Sequence, residues 1–304
     1  METGAPTIPG AGGPGRRRTW RRTGRRLAVV VTGCYLGVVL VLLALENSLV
    51  YHPVRADRDW YPPPNARVQD VALTSADGTA IHAWWCPTQD WDRGRGAVLY
   101  CHGNAGNLSY WGESVDLWQK ELDASVLIFD YPGYGRSGGR PGEAGCYAAA
   151  DAAYSWLTQT RHIDPDLVLI CGESLGSGVA VDLASRRPHR ALVLISAFTS
   201  IPDVAQGIYP WLPAQWLMRN RFDSLAKIAR CRGPVFVAHG TADALVPFAQ
   251  GRRLFEAANE PKHFFCMDGC DHDHRRDTDL RQELRLFLAR AEAGREAAAG
   301  KRAD

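Results

Sequence analysis

A serine stands between two glycines at the point where an apolar run gives way to small residues. The motif Gly172-Glu173-Ser174-Leu175-Gly176 follows the run "LVLIC" and precedes "SGVAVDLA". A serine at a sharp turn from strand to helix has an exposed hydroxyl, and the helix N-terminus beside it offers unpaired N–H groups. A hydroxyl is a poor nucleophile near neutral pH, so it needs a base and a group that orients that base. The motif predicts a serine nucleophile at residue 174.

Acid and base candidates follow two later apolar runs. "FVAHGTADALVP" places Asp243 in the loop after one strand, and "FFCMDGCDHDH" places His272 and His274 after the next. Chain order Ser, Asp, His occurs on sheets where all three loops emerge at one edge. We expect Asp243 to orient one of these imidazoles. Asp243 could instead cap a turn or helix, and the "DHDH" stretch could be a solvated loop or bind a metal ion.

A glycine-rich turn follows the run "AVLYC". This turn, "HGNAGN", runs from His102 to Asn107 and can aim backbone N–H groups into the site. Acyl transfer passes through an oxyanion that needs such donors. We expect the N–H groups of Leu175 and Asn104 to fill this role, with Ala105 as the alternative donor. His102 lies before the serine and on another strand, so we expect it to brace the loop. No cofactor or metal is expected.

The remaining sequence predicts an α/β fold with a mostly parallel sheet flanked by helices. The segment "VQDVALTSADGTAIHAWW" alternates around Asp77-Gly78, which is typical of a β-hairpin. Continuous Val/Ile/Leu runs then alternate with helical patterns, as in sheets covered on both faces. The expected strands are 97–103, 125–133, 167–174, 191–198, 234–240 and 262–269, and the expected helices are 108–122, 143–160, 175–187, 247–258 and 276–292.

One insert, residues 199–228, interrupts this alternation and is rich in aromatic residues and proline. Its length and apolar content exceed those of an ordinary connection. We expect a lid over the site, in which Trp211, Leu212, Trp216 and Leu217 contact substrate. A helix pair packed only for stability is the alternative.

The N-terminus predicts a membrane anchor. Residues 1–26 are rich in glycine, proline and arginine, and we expect them to be disordered. Residues 27–46 should form a transmembrane helix, because the 19 residues 27–45 carry no charge and span about 28 Å as a helix. Arginines crowd the side before it, which predicts a cytoplasmic N-terminus and a hydrolase domain on the other side of the membrane. The hydrolase domain is expected at 47–292 and a flexible tail at 293–304.

Three other interpretations of this apolar segment stay open. A cleaved signal peptide has a shorter apolar run and a small-residue cleavage site. The sequence "VTGC", ending at Cys34, is similar to a lipoprotein-processing box. A buried core helix is the third option, although the segment is apolar on every side.

The chain resembles a known family over about residues 48–290. The motifs "CHGNAGN", "FDYPGYGRSGG", "GESLGSGVA" and "HGTADALVPF" are similar to those of membrane-anchored α/β-hydrolases of the abhydrolase-domain type. The resemblance implies Ser174 as nucleophile, Asp243 as acid and His272 as base. It favours His272 over His274 because the family has a "GxxH" pattern after its last strand, here Gly269 to His272. The chain departs from the family at Asp271, where a small residue is typical.

These features predict a serine hydrolase of an ester or thioester that carries an apolar acyl group. Its expected partners are a lipid-like acyl substrate and the membrane. Outside the arginine cluster the chain is mildly acidic, which argues against nucleic-acid binding. Two alternatives are a serine aminopeptidase, with Glu173 or Asp203 holding the substrate amine, and a non-catalytic binding protein. The sequence leaves the oligomeric state open.

Overall fold

An eight-stranded sheet forms the core of the larger of two compact units in the computed structural model, which describes residues 14–272 and 278–303. In the numbering used below, its spatial order is β8-β7-β6-β5-β3-β4-β2-β1. The strands are β1 Gln69–Thr74, β2 Ala80–Cys86, β3 Ala97–Cys101, β4 Val126–Phe129, β5 Val168–Glu173, β6 Ala191–Ile195, β7 Val235–Gly240 and β8 Lys262–Met267.

The sheet is parallel from β3 to β8, as the continuous apolar runs predict. The hairpin β1–β2 is antiparallel, and β2 joins the rest of the sheet by antiparallel pairing with β4. Every residue of β3 to β7 is buried. Parallel strands that place their carboxyl ends at one edge bring the loops after β3, β5, β7 and β8 together, and these loops carry the candidate site residues.

Helices cover both faces of the sheet. The described helices of eight or more residues, of which α1 lies outside the unit that contains the sheet, are α1 Pro14–Ala44, α2 Gly112–Leu122, α3 Glu143–Ser155, α4 Leu175–Ala184, α5 Ile201–Ile208, α6 Phe248–Ala257 and α7 Thr278–Ala303. Successive side chains of β3 show the two layers, because Leu99 belongs to a core cluster that includes residues of α3, α4 and α6, whereas Val98 belongs to one that includes residues of α2 and α7. The predicted α/β fold class is therefore confirmed.

The ends of the chain differ from the sequence-based expectation. Helix α1 begins at Pro14, so the arginine cluster expected to be disordered is helical. Arginine is a good helix former, and a long apolar helix can propagate through it. Helix α7 runs to Ala303, through the segment expected to be a flexible tail, because its alanines and glutamates favour helix. Residues 1–13 lie outside the described part of the chain.

Helix α1 and the eight-stranded sheet belong to separate compact units, and the unit that contains the sheet starts at Asn47. Residues Arg22–Ala44 have a mean hydropathy of 2.6 over their most apolar window and are long enough to cross a membrane. A signal sequence near an N-terminus meets the same criteria.

The cysteines form no disulfide among the described residues. Five of them are buried: Cys86, Cys101, Cys146, Cys171 and Cys231. A buried thiol packs as a small apolar group. Cys266 and Cys270 are also free thiols.

Candidate active site

Ser174 occupies a strained turn between β5 and α4. Its φ is 51° and its ψ is −121°, a backbone conformation that non-glycine residues rarely adopt. The flanking glycines allow close packing around it. A Cβ on Gly176 would lie 2.0 Å from the Cys101 carbonyl oxygen, and one on Gly172 would lie 2.3 Å from the Gly176 oxygen. The motif is therefore explained by a tight crossing of α4 over β3 and β5.

His272 joins the serine to the aspartate. Its Nε2 lies 2.9 Å from Ser174 Oγ, and its Nδ1 lies 2.7 Å from Asp243 Oδ2. When Nδ1 carries a proton and donates a hydrogen bond to the carboxylate, Nε2 is unprotonated and can accept the serine proton. The structure thus brings together the three residues that the sequence proposed for nucleophile, base and acid.

The Asp243 carboxylate is fixed by more than one donor. Oδ1 accepts the backbone N–H groups of Leu245 at 3.0 Å and Val246 at 2.8 Å. On the Oδ2 side, His239 Nε2 lies 3.4 Å away. Burial raises the pKa of Asp243, but hydrogen bonds from His239, His272 and Val246 outweigh it and hold the pKa well below its ordinary value. Asp243 is therefore an anion near neutral pH.

Burial lowers the pKa of His272, but the hydrogen bond and the charge of Asp243, together with other nearby carboxylates, raise it, and the net shift is upward. The charges of Glu173 and Asp271 act in the same direction. A raised pKa makes the imidazole a stronger base while still leaving it neutral above that pKa.

Asp271, the departure from the family pattern, has a structural role. Its Oδ1 accepts the His272 backbone N–H at 2.7 Å and the Ala244 backbone N–H at 3.1 Å. One carboxylate oxygen therefore links the loop after β7 to the loop after β8. His274, the alternative base, lies outside the described residues.

The glycine-rich turn lies next to Ser174. A Cβ on Gly103 would lie 2.9 Å from the Trp111 ring and 3.6 Å from Ser174 Cβ. Leu175 is the first residue of α4, and the N–H groups of a first helical turn have no partner within the helix. Leu175 directly follows Ser174 in the chain, and Asn104 directly follows Gly103. Both candidate donors therefore come next to a residue of this contact. His102 is fully buried and contacts its own loop through Nδ1 and the Gly103 oxygen at 2.7 Å.

The residues expected to bind substrate occupy different environments in the insert of residues 199–228, which we call the lid. This region contains α5 and the short helices Ala214–Leu217 and Leu225–Ile228. Trp216 is 89% exposed and Trp211 is 50% exposed, whereas Leu217 is half-buried. Leu212 is buried inside the lid. The exposed tryptophans leave a large apolar area facing outward.

The two carboxylates considered for amine binding are already engaged. Glu173 is buried and its Oε2 accepts the Tyr100 hydroxyl at 2.5 Å. Asp203 accepts the Thr199 hydroxyl at 2.6 Å and the Gln215 side-chain amide at 2.5 Å. Neither arrangement favours a site for a substrate amine.

Sequence reasoning missed His239 as a neighbour of the acid. Its Nε2 contacts the Val246 carbonyl oxygen at 2.9 Å, which requires a proton on Nε2, so Nδ1 is unprotonated in the neutral ring. Within the described residues, that Nδ1 has no hydrogen-bond partner and faces Gly251. The i, i+4 spacing of His239 and Asp243 at a strand end is the signal that could have revealed this contact.

Known proteins share this fold and much of this sequence. A family model described as the alpha/beta hydrolase fold matches residues 96–226. The alpha/beta hydrolase domain-containing protein WAV2 of Arabidopsis thaliana is 31% identical over 255 residues, covering 77% of this chain and 82% of that protein. This chain belongs to the alpha/beta hydrolase family.

Two further comparisons place this alpha/beta hydrolase among its relatives. It is 39% identical over 242 residues to the uncharacterized protein Rv2307c of Mycobacterium tuberculosis, covering 78% of this chain and 84% of that protein. The Pyrococcus furiosus esterase Pf2001 superposes with a TM-score of 0.63 at 19% identity, over 79% of this chain and 98% of that one. The family resemblance read from the sequence is confirmed, and family and fold together support hydrolase activity in general.

Proposed function

We propose that this alpha/beta hydrolase cleaves an ester or thioester of an apolar acyl group through an acyl-enzyme on Ser174. The hydrogen-bonded chain from Ser174 Oγ through His272 to Asp243 carries the proposal. The strained backbone at Ser174 supports it, because such strain is characteristic of functional turns.

In the first step, Ser174 Oγ attacks the substrate carbonyl carbon while His272 Nε2 removes the hydroxyl proton. A C–O bond forms and the carbonyl electron pair moves onto oxygen as an oxyanion. Asp243 stabilises the imidazolium that results and keeps its Nδ1 proton in place. As the intermediate collapses, the leaving alcohol or thiol takes the proton from Nε2, and the acyl group remains on Ser174.

In the second step, water replaces the leaving group. His272 removes a proton from water, the hydroxide attacks the acyl carbon, and Ser174 regains its proton as the acid departs. We assign the two oxyanion donors to the backbone N–H groups of Leu175 and Asn104. Donors of this kind typically contribute about 3–4 kcal/mol each.

The lid suggests the substrate class. Its exposed side chains include Trp211, Trp216, Tyr209 and Ile208. A group of exposed apolar side chains such as this one is typical of a surface that contacts lipids or acyl chains. An apolar acyl group therefore fits the lid better than a charged or peptidic one.

The apolar helix α1 fits a single-pass anchor with a cytoplasmic N-terminus and the hydrolase domain on the opposite side. The arginines that precede the apolar stretch favour this orientation. An anchored enzyme would meet lipid-like substrates at the membrane surface, which agrees with the composition of the lid.

Hydrolysis of p-nitrophenyl esters of increasing chain length tests the proposal. The wild-type protein should turn over medium-chain esters, and Ser174→Ala should reduce kcat by several orders of magnitude. Residual activity in Ser174→Ala equal to that of the wild type would reject Ser174 as the nucleophile. Parallel assays with acyl thioesters and aminoacyl amides separate the thioesterase and aminopeptidase alternatives.

A further inference from the structure

The hydrolase unit begins with a short segment that lies against the glycine-rich turn. This connecting segment, residues 47–54, follows the apolar helix along the chain. Its residues His52 and Pro53 pair in parallel with Ala105 and Gly106, outside the main sheet. The Val54 N–H then donates to the Gly106 oxygen at 2.9 Å.

Asn104 is held mainly by this segment. Its Nδ2 donates to the Val50 carbonyl oxygen at 2.6 Å and lies 2.9 Å from His52 Nδ1. Its Oδ1 accepts the His52 backbone N–H at 3.2 Å and the Tyr134 hydroxyl at 2.8 Å. Because both the amide nitrogen and the amide oxygen of Asn104 are bonded, the side chain has little rotational freedom. The backbone N–H of the same residue is the one we assign to the oxyanion.

The second asparagine of the motif makes the same kind of contact. Asn107 is fully buried, and its Nδ2 donates to the Val54 oxygen at 3.1 Å and the Asp59 oxygen at 3.0 Å. Both asparagines of "HGNAGN" thus bind main-chain carbonyl groups about 50 residues earlier in the chain.

The connecting segment also reaches the lid. The Tyr51 hydroxyl donates to Asn220 Oδ1 at 2.7 Å, and Asn220 Nδ2 donates to Asn47 Oδ1 at 2.8 Å. Asn220 lies within the lid, between its two short helices, and its Oδ1 also accepts the Glu143 N–H at 3.2 Å. The segment therefore connects the turn at Asn104 with the lid.

We infer that the connecting segment positions the oxyanion donor at Asn104, with His52, Tyr134 and the Asn104 side chain as positioning residues. This inference rests on the proposed function. The segment makes the residues next to the apolar helix part of the active-site framework. A displacement of about 1 Å at a transition-state donor lowers a rate by up to about 100-fold, so weakening these contacts should reduce turnover more than substrate binding.

The test measures kcat and KM of full-chain variants on a short, water-soluble ester. Asn104→Ala keeps the backbone N–H but removes all four side-chain contacts, and it should lower kcat about 10- to 100-fold with KM changed less than about twofold. Tyr134→Phe removes one hydroxyl without changing the packing, and it should lower kcat about threefold to tenfold.

A matched control and a double-mutant cycle complete the test. Tyr154→Phe also removes a buried tyrosine hydroxyl, bonded to the Pro188 oxygen at 2.7 Å beyond the opposite edge of the sheet, and it should leave kcat unchanged. His52→Ala should lower kcat in the wild type but add little in the Asn104→Ala background, because the two share one contact. An unchanged kcat in either folded variant, Asn104→Ala or Tyr134→Phe, would overturn the inference. Failure of the proposed function looks different: the wild type itself would then hydrolyse no ester.

Discussion

His272 Nε2 lies 2.9 Å from Ser174 Oγ, although the two residues are 98 positions apart in the chain. They meet because β5 and β8 run parallel in one sheet, and the loops at their carboxyl ends share an edge. Asp243 reaches the same edge from β7, the strand next to β8. The proposed chemistry depends on this convergence.

Replacement of the base should remove nearly all turnover. We expect His272→Ala to lower kcat by about 10⁴-fold or more, because the serine then loses the base that lies 2.9 Å from its Oγ. His274→Ala is the matched control, two residues further along the chain, and it should retain wild-type kcat. Steady-state kinetics on one ester decides between the two histidines. An inactive His274→Ala variant together with an active His272→Ala variant would identify His274 as the base.

The pH profile should report the charge of Glu173. The reaction needs neutral His272, so kcat/KM should fall as pH decreases through a pKa raised above its ordinary value of about 6.5. Glu173→Gln removes one negative charge that contributes to this rise. The acid limb, which is the fall of kcat/KM at low pH, should therefore move to lower pH. Glu256→Gln, an exposed carboxylate paired with Arg252, should leave the limb in place. An acid limb that stays fixed or moves upward in Glu173→Gln would contradict the role of this charge.

The tight crossing at the nucleophile should make Gly176 intolerant of a side chain. A Cβ there would lie 2.0 Å from one backbone oxygen, so Gly176→Ala should destabilise the fold by about 3 kcal/mol. Gly207→Ala is the control, because Gly207 is helical and a Cβ there meets nothing within 4 Å. It should be neutral or stabilising by up to about 1 kcal/mol. Urea unfolding of both variants measures the difference, and equal stabilities would disprove the packing argument.

The lid surface should act on substrate binding rather than on folding. Trp216→Ala removes a side chain that is 89% exposed. The free energy of unfolding should therefore stay within about 0.5 kcal/mol of the wild-type value. The KM for long-chain esters should rise about fivefold, whereas the KM for acetyl esters should not change. Leu286→Ala, an exposed apolar residue on α7, is the control. A chain-length preference that survives in Trp216→Ala would exclude this tryptophan from acyl binding.

The sequence predicted most strands and the residues of the site because both depend on local signals. Uninterrupted apolar runs mark buried parallel strands, and the loops that follow them must reach one edge. Ser174, Asp243 and His272 could therefore be placed near one another before any coordinates were known. The motif at Ser174 also predicted the strained turn.

Other features depend on tertiary contacts that no local pattern encodes. The motif "HGNAGN" predicted a glycine-rich turn that aims backbone N–H groups into the site, but not that the side chains of Asn104 and Asn107 hold a segment about 50 residues earlier in the chain. Asp271 looked like a departure from the family, but it links two loops through backbone N–H groups. The arginine cluster had a composition typical of disorder, yet it continues the helix of the apolar residues after it.

The most direct measurement maps the residue modified by a fluorophosphonate probe. Such a probe reacts only with a serine that an adjacent base activates, so mass spectrometry should find the adduct on the peptide containing Ser174. Labelling should disappear in Ser174→Ala and fall strongly in His272→Ala. An adduct on a different serine, or undiminished labelling of Ser174→Ala, would contradict the account.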